Sequence, residues 1–477
     1  MHGYKTSSHV KWLNIFWSTS TLAAISRINV RKNQSNRTVN SMISSINLDG
    51  WRQKNYWLGW LAISIYAFFW LIDLDISRAG ESLFILCFVI AWFSEPDKHL
   101  KRHKIFILLL VFLGLQIGVY FFAAERFPEF SDSQVKAGRH MAKLFLCIAI
   151  AWWLKGSTRS VLYLLVVLCA GFFASLVFNS SILDWQLGLK GYRVDFSYKN
   201  AQHTSVYFGL SLFLGFFWLL HSVFIKASYS KTVLALIITV VSIIGVIITQ
   251  TRAVWLAIPV TLFCVAIIVI YTSFKSGRFK LSKAKMTAIL LGFMVAAGLG
   301  AVAFKPFIEK RFEEEERQVI SSAIQGNMDD ISYSSIGNRL HTWTYALEKI
   351  GERPLTGWGP QSRKPLIDEG PFPDWIKDMY GHFHNSYIEI ALAYGLIGVL
   401  IFAVLTFCII RGIVKLSKAK HDFLFLGLLS AFVFFAIVNF FESYLIFRTG
   451  MYFYILLGGM GLTFYLFDVD ARDKRIS

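Results

Sequence analysis

Cysteine is scarce in this sequence, and its placement argues against two common kinds of site. The chain has 477 residues but only five cysteines, and all of them fall within apolar runs with no paired spacing outside those runs. Disulfide frameworks and structural zinc sites both need cysteines at regular paired spacings. Neither is indicated here, and we expect the five to be packing residues: Cys87, Cys147, Cys169, Cys264 and Cys408.

Internal repetition is also lacking. No unit of roughly 20 to 50 residues recurs, and the two halves contain no matched pair of interrupted apolar segments. Many secondary transporters are built from inverted repeats with such broken helices. The absence of both features, together with the scarcity of charge inside the apolar runs, argues against a transporter.

Charged residues make up only 16% of the chain, whereas 55% is hydrophobic and the mean hydropathy is +0.52. A soluble domain with a polar surface is not this apolar, so lipid must cover most of the surface. The formal charge of +18 would suit a nucleic-acid-binding protein. The Lys and Arg residues, however, sit in short loops, which membrane topology alone explains.

A convincing signal peptide is missing as well. Residues 1–50 are polar and basic, and polar residues interrupt their apolar patch at 12–25. We predict a cytoplasmic N-terminal segment at 1–55. Met42 lies just before the hydrophobic region, so a start codon there is an alternative to Met1.

Apolar runs dominate the rest of the chain. A helix needs about twenty apolar residues to cross a membrane, and it bonds every backbone group internally. The sequence predicts about twelve spans: 56–75, 81–95, 104–123, 140–155, 158–179, 203–225, 231–249, 252–273, 286–304, 385–410, 422–442 and 447–467. The fold class is therefore an all-α polytopic membrane protein, with spans one to nine within 56–304 and spans ten to twelve within 385–467.

Loop charge predicts the orientation of these spans. The basic clusters fall in the N-terminal segment, in alternate loops and in the tail at 468–477: 98–104, 226–231, 275–285, 411–420 and 474–475. Lys and Arg are retained on the cytoplasmic side of short loops. Both termini are therefore predicted to be cytoplasmic.

One long loop, at 305–384, separates spans nine and ten on the opposite face. It contains helix-like stretches at 307–322 and 339–350, followed by a Gly- and Pro-rich segment at 354–360. The acidic run at 313–316 is typical of a solvated helix face. The loop is long enough to form a small cap.

The most informative stretch is 381–398, where a polar loop containing histidine turns into an apolar span. His384 lies at the predicted membrane surface, and Asn385 or Ser386 could cap the helix that follows. A histidine in this position could simply lie at the membrane interface beside a capping residue, without a catalytic role. A histidine is also well suited to accept a hydroxyl proton near neutral pH.

A family resemblance rests on this stretch. The pair His384-Asn385, followed after nine residues by Gly395-x-x-Gly398, resembles the signature of the O-antigen ligase and polymerase superfamily. The two glycines lie on one helical face and would permit close helix packing. Twelve spans and a large loop before the motif are also similar to that superfamily.

Two further segments extend the resemblance. Residues 337–348 and 353–360 are similar to that superfamily's loop, and the resemblance covers roughly 200–465. It implies a GT-C-like fold in the bacterial inner membrane, multi-pass, with the long loop and the active site facing the periplasm.

The resemblance also gives two arginines a meaning. Arg252 begins a span after a Thr-Gln-Thr turn, and Arg339 opens a loop helix. Arginines at such positions can simply contact lipid headgroups. The resemblance implies instead that both clamp a diphosphate, which suits their bidentate donors, while His384 acts as general base.

Four other residues are weaker candidates for binding the diphosphate or the acceptor: Arg193, Lys199, His203 and Glu442. Glu442 is an acidic residue at membrane depth; it could orient His384, contact the acceptor or pair with Arg448. His203 also suits an interfacial or capping position. His382 and His384 form a His-x-His pair, but no acidic residue or cysteine at ligand spacing accompanies them, so we predict no metal.

The activity that the resemblance implies is glycosyl transfer, without cofactor or metal and with inversion. The donor would be a glycan on undecaprenyl diphosphate and the acceptor lipid A-core, as in an O-antigen ligase, with membrane lipids as further partners and no nucleic acid. An O-antigen or exopolysaccharide polymerase uses the same donor and another glycan acceptor. A protein O-oligosaccharyltransferase and a twelve-span transporter are less favoured alternatives.

Overall fold

The computed structural model describes residues 50–224, 227–276, 314–325, 331–419 and 421–469. Within these ranges the chain is helical and has no strand. Eleven helices lie in the described residues up to 276: α1 (Gly50–Phe69), α2 (Leu74–Ser94), α3 (Lys98–Lys101), α4 (Lys104–Arg126), α5 (Ser131–Ala142), α6 (Leu146–Leu154), α7 (Thr158–Asn179), α8 (Ile182–Leu189), α9 (Ala201–Phe224), α10 (Tyr229–Ile248) and α11 (Arg252–Ser276). Four lie in the described part of the long loop, α12 (Glu314–Gln325), α13 (Gly337–Glu352), α14 (Arg363–Glu369) and α15 (Asp374–Met379), and three in the described residues after it, α16 (Ser386–Lys418), α17 (Asp422–Val438) and α18 (Arg448–Leu466).

Seven segments in the described ranges are long and apolar enough to cross a membrane: α2, the α3–α4 segment, α7, α9, α10, α16 and α18. Apolar stretches of α11 and α17 are shorter. The chain is therefore a polytopic α-helical membrane protein, which confirms the predicted class. Predicted span nine, at 286–304, lies outside the described residues, so the total of twelve stays a prediction.

Several predicted spans differ in their bounds from the helices observed. The first overlaps α1, which ends at Phe69 and is not among the seven. The second is part of α2, which begins earlier because Asp73 caps it by accepting from the amides of Asp75 and Ile76. The fourth, expected at 140–155, is divided between α5 and α6 by a 3₁₀ turn at Lys143–Phe145.

Helix α18 lies at the centre of the bundle. In its most apolar 18-residue stretch 83% of the residues are buried, against 17% in the α3–α4 segment, which therefore lies at the outside of the bundle. α18 packs against α6 and α16. A Cβ on Gly412 of α16 would lie 2.1 Å from the carbonyl oxygen of Gly461 of α18, so these helices meet at backbone distance.

Residues 331–383, called the cap below, fold over the outer end of α16 with an apolar core of their own. This core consists of cap residues together with one residue each from the end of α4 and from α16: Tyr345, Ala346, Trp358, Leu366, Ile367, Phe372, Ile376, Phe383, Phe127 and Leu392. Burial of these side chains is what orders the cap without β-structure in the described residues.

A break in α16 attaches the cap to the bundle. Gly395 has φ 60° and ψ −161°, which interrupts the helical hydrogen bonds around it. Four backbone hydrogen bonds join the opened turn to the cap: Trp358 N to Leu392 O (2.7 Å), Gly359 N to Ala393 O (3.0 Å), Leu396 N to Pro354 O (2.7 Å) and Ile397 N to Leu355 O (3.2 Å). The cap is thereby fixed to the helix that follows the His-Asn motif.

The two motif glycines therefore act differently from the expected helix packing. A Cβ on Gly395 would lie 2.3 Å from the carbonyl carbon of Leu355, in the cap rather than in a second helix. A Cβ on Gly398 would meet the Cβ of Tyr394, in its own helix, at 2.2 Å. Gly395 thus allows a loop to dock into a broken helix, whereas Gly398 makes room for Tyr394 within α16 itself.

Candidate active site

The loop from Gly381 to Asn385 leads from the cap into α16 and carries two histidines. Asn385 caps α16, since its side chain accepts from the amides of Tyr387 and Ile388 at 2.9 and 3.2 Å. His384, the residue directly before the helix N-cap Asn385, has φ 52°. Such a left-handed backbone costs a non-glycine residue about 1 kcal/mol or more and is common at functional sites.

The loop between α17 and α18 supplies the partner of both histidines. Glu442 lies there, 3% exposed. Its Oε1 is 2.9 Å from Nε2 of His382, and its Oε2 is 3.1 Å from Nδ1 of His384. The two imidazole rings lie 4.0 Å apart between centroids. One buried carboxylate therefore bridges the His-x-His pair.

Buried hydrogen bonds fix these two loops against each other. The amide of Asn385 donates to Ser443 Oγ at 3.1 Å, and the hydroxyl of Ser386 donates to Asn439 Oδ1 at 2.6 Å. The amide of Ser386 also donates to the carbonyl of Asn439 at 2.9 Å. Because these groups are buried, breaking any one bond leaves a polar atom unsatisfied, so the geometry of the histidine loop is strongly specified.

A second carboxylate, Glu389, is enclosed in the first turn of α16. Its Oε1 accepts from the amide of Phe383 at 2.6 Å and from Ser443 Oγ at 3.3 Å. The carbonyl of Phe383 accepts from the indole of Trp343 at 2.6 Å. The backbone between the two histidines is thus held on both sides.

The protonation of the pair follows from these contacts. Burial alone would raise the pKa of Glu442, but the hydrogen bonds from His382 and His384, with their charges, outweigh burial and hold that pKa below its ordinary value. An ionised carboxylate only accepts, so Nδ1 of His384 carries the hydrogen that Glu442 receives. In neutral His384 the other nitrogen, Nε2, is then the basic one.

Nε2 of His384 is buried and has no hydrogen-bond partner among the described residues. Burial lowers the pKa of His384, with His382 and Arg339 acting in the same direction and Glu442 opposing them. The imidazole is therefore neutral near pH 7, with an unused acceptor nitrogen. This is the form that a general base requires.

Arg339 lies in the first turn of α13, close enough for its charge to act on His384 and Tyr444. Its Nε is buried without a hydrogen-bond partner in the described part of the chain. A partly buried guanidinium whose Nε is buried and unsatisfied is well suited to an anionic ligand.

Arg252 opens α11 and reaches the cap, where its Nη2 lies 3.5 Å from Ser335 Oγ, two residues before α13. The preceding turn is bound to the loop that carries Arg193. Nε of Arg193 donates to the carbonyl of Thr249 at 3.3 Å, and Gln250 Nε2 donates to the carbonyl of Gly191 at 2.9 Å. Arg193 and Arg252 therefore belong to one connected region, and Arg193 acts electrostatically on Tyr444, as Arg339 does.

The remaining candidates lie around Phe447, the residue directly after a 3₁₀ turn at Tyr444–Ile446. The His203 ring packs edge-on against Tyr444 and Phe447, and its Nδ1 is 2.5 Å from Thr449 Oγ1. Asn200, not His203, caps α9, because its side chain accepts the His203 amide at 3.0 Å. The Lys199 ammonium sits over the Phe447 ring.

Within the described residues, one group of side chains could bind a metal ion. The ligand atoms of His382, His384 and Glu442 lie within 4.8 Å of one another. The sequence suggested no acidic partner because Glu442 is 58 residues from His384. Both oxygens of that carboxylate already accept from imidazoles. The prediction that no metal is used stays a prediction.

Three site residues have no counterpart in the sequence analysis: Glu389, Ser443 and Asn439, which fix the histidine loop. His382, considered there only as half of a possible metal-binding pair, shares the carboxylate of Glu442. The signal that singles out Glu442, an acidic residue at the edge of a span, applies equally to Glu389. For Ser443 and Asn439 the sequence carries no comparable signal.

Residues 237–403 match a family model described as O-antigen ligase. No curated protein matches the chain. The matched segment includes Arg252, Arg339 and His384, whereas Glu442 lies beyond its end. The family resemblance is confirmed for this segment, and the family consists of membrane glycosyltransferase-like enzymes with glycan and lipid substrates.

Proposed function

We propose that this chain, whose residues 237–403 match the O-antigen ligase family model, transfers a glycan from undecaprenyl diphosphate to lipid A-core. The observation that supports this most directly is the unpartnered Nε2 of His384, oriented by Glu442 and close to the guanidinium of Arg339. A base and a cation at the same face are what transfer from a lipid diphosphate requires.

The chemistry divides between the histidine and the arginines. Nε2 of His384 takes the proton of the acceptor hydroxyl, and the hydroxyl oxygen attacks the anomeric carbon of the donor. The bond from that carbon to the diphosphate oxygen breaks, and in-line attack inverts the anomeric configuration. Arg252 and Arg339 stabilise the negative charge that the departing diphosphate gains.

Glu442 acts through His384. Its carboxylate fixes the tautomer with hydrogen on Nδ1 and stabilises the imidazolium that forms when Nε2 accepts the proton, as a carboxylate does in other His-containing sites. His382 is hydrogen-bonded to the same carboxylate and so limits the movement of the Glu442 side chain. In this role Glu442 is a positioning residue.

The donor dictates where this site must lie. An undecaprenyl chain remains in the bilayer, so its diphosphate arrives at the membrane surface, where the cap meets the ends of α11 and α16. Retention of basic loops in the cytoplasm supports a periplasmic site in the bacterial inner membrane with both termini in the cytoplasm. The leaving group carries the activation, so no cofactor is required.

The product pattern of a deletion strain tests this function. We expect lipopolysaccharide to lose all glycan-capped bands on a gel while lipid-linked polymer accumulates. Core carrying a single repeat unit would instead identify a polymerase, which uses the same donor chemistry. An unchanged pattern, with ion- or proton-coupled uptake in proteoliposomes, would favour a transporter and contradict the proposal.

A further inference from the structure

A cleft of about 600 Å³ opens beside the histidine pair. It lies between the turn joining α1 to α2, helix α5, the loop before α9, the cap and the start of α18. Four of its lining side chains carry positive charge at neutral pH: Lys136, Lys199, Arg363 and Arg448. His140 also lines it, but burial lowers the pKa of His140 to about 4, so this imidazole is neutral. Among the residues that the structure describes, no acidic side chain lines it.

These cations have no carboxylate partner within ion-pair distance among the described residues. Arg363 donates only to uncharged groups, the carbonyl of Pro360 and Oε1 of Gln361, each at 3.1 Å. Lys199 contacts an aromatic ring. Glu442 acts on Lys199, and Arg363 on Glu389, without an ion-pair contact. Concentrated positive charge with no carboxylate in direct contact attracts an anion strongly in a cleft.

The cleft is distinct from the arginines assigned to the diphosphate. None of Arg193, Arg252 and Arg339 lines it. It adjoins the reacting centre through Phe447, whose ring lines the cleft and packs edge-on against His382 at 5.0 Å between centroids. A molecule in the cleft would therefore lie one aromatic ring away from the histidine pair.

The other walls are apolar and aromatic. Trp70, Leu71 and Leu74 lie on one side, and Met141 and Ile446 on others. An isolated inorganic ion does not need such walls, whereas a sugar ring that carries a charged substituent does, because its faces pack on aromatic and aliphatic groups.

We propose that this cleft binds a phosphate group carried by the acceptor glycan, so that the enzyme uses a phosphorylated acceptor. The inference rests on the proposed function and adds the chemical class of its second substrate. Cationic side chains hold the phosphate by charge-assisted hydrogen bonds, and the apolar walls hold the attached sugar, which brings the acceptor hydroxyl toward His384.

The kinetic test uses full-length protein reconstituted in lipid, with Lys136→Gln and Arg448→Gln combined. Both side chains are exposed, so the change should leave the fold intact. We expect KM for the phosphorylated acceptor to rise about tenfold or more, since hydrogen bonds to charged groups are lost. KM for the lipid-diphosphate donor should stay unchanged, and acceptor treated with phosphatase should no longer distinguish variant from wild type.

Lys190→Gln is the matched control, because Lys190 is exposed, follows α8 and does not line the cleft. An unchanged acceptor KM in the cleft variant would overturn the inference. A rise in donor KM alone would also overturn it and would assign the cleft to the donor diphosphate. An equal rise in KM for phosphorylated and for dephosphorylated acceptor would show that the cleft does not recognise phosphate.

A binding measurement keeps the inference separate from transfer. Inorganic phosphate should raise the thermal midpoint of purified wild-type protein and of Arg339→Ala in detergent, and should raise that of the cleft variant less. Equal stabilisation of cleft variant and wild type would contradict the inference. If wild-type protein binds phosphate in the cleft but transfers no glycan, the proposed function fails while the anion site stands.

Discussion

His384 and Glu442 are hydrogen-bonded at 3.1 Å, between Nδ1 and Oε2, although 58 residues separate them in the chain. The contact joins the loop that enters α16 to the loop that enters α18. It leaves Nε2 of His384 unpartnered among the described residues. This single contact therefore sets both the orientation and the tautomer of the proposed base.

Removal of the His384 imidazole should abolish transfer. General base catalysis typically contributes about 10²- to 10⁴-fold, so His384→Ala should lower kcat by at least that range in a reconstituted assay. Because His384 has a left-handed backbone, His384→Asn is the better variant: asparagine tolerates that conformation but supplies no basic nitrogen. His99→Ala, in the exposed short helix α3, is the control and should leave transfer unchanged. Near-wild-type transfer by His384→Asn would remove the base assignment.

The pH profile should respond to Glu442. Transfer requires neutral His384, so the rate should rise as pH increases through the pKa of His384, which burial places below 6.5. Glu442→Gln removes the charged contact that raises the pKa of His384, so the midpoint of the pH–rate profile should move to still lower pH. The plateau rate should also fall, because a weaker base transfers the proton less well.

Glu369→Gln is the control for this charge change, since Glu369 is exposed and pairs with Arg126 away from the histidines. A purely structural role for Glu442 would lower the amount of folded protein without moving the midpoint. That outcome would contradict the positioning role.

The two arginines should be needed for the donor. Arg252→Ala and Arg339→Ala should each abolish transfer while leaving a folded, membrane-inserted protein, because charge on the departing diphosphate is no longer stabilised. Lysine at either position should restore only part of the rate, since it lacks the bidentate fork. Single-turnover transfer with the lipid-linked donor measures this. Full activity of Arg339→Ala would exclude it from the clamp.

Transfer should survive EDTA. The proposed step needs a base and two guanidinium groups, and the donor set His382, His384 and Glu442 is used for proton transfer rather than for a cation. Rates before and after dialysis against EDTA should agree. Activity that is lost and then restored by Mg²⁺ or Zn²⁺ would show that a metal takes part.

Substitution of Gly395 should release the cap. Gly395→Ala adds a Cβ that would lie 2.3 Å from the carbonyl carbon of Leu355, at a φ of 60°. The cap then loses hydrogen bonds to α16, so we expect a lower thermal midpoint and reduced transfer. Gly351→Ala, near the end of α13 with no atom within 4 Å of the added Cβ, should be neutral or slightly stabilising, by up to about 1 kcal/mol. Equal midpoints for both variants would argue against this docking.

The sequence by itself determines that this is a polytopic helical membrane protein. Apolar runs of sufficient length must be helical in lipid because every backbone group has to be bonded internally. It also singles out His384, Arg252 and Arg339, since a polar motif at the edge of an apolar span is a local pattern. The family match to 237–403 covers the same three residues.

Only the tertiary structure decides how distant segments meet. The division of the fourth predicted span by a 3₁₀ turn, the docking of the cap at Gly395 and the enclosure of Glu389 all depend on packing between elements. The same is true of the basic cleft, whose residues come from five separate segments. A single sequence shows hydrophobic periodicity and local motifs, but not which loops share one face of a folded bundle. Hence Glu442 can be recognised in the sequence as an acidic residue at membrane depth, while the identity of its partners, two imidazoles rather than Arg448, is fixed only when α16 and α18 pack side by side.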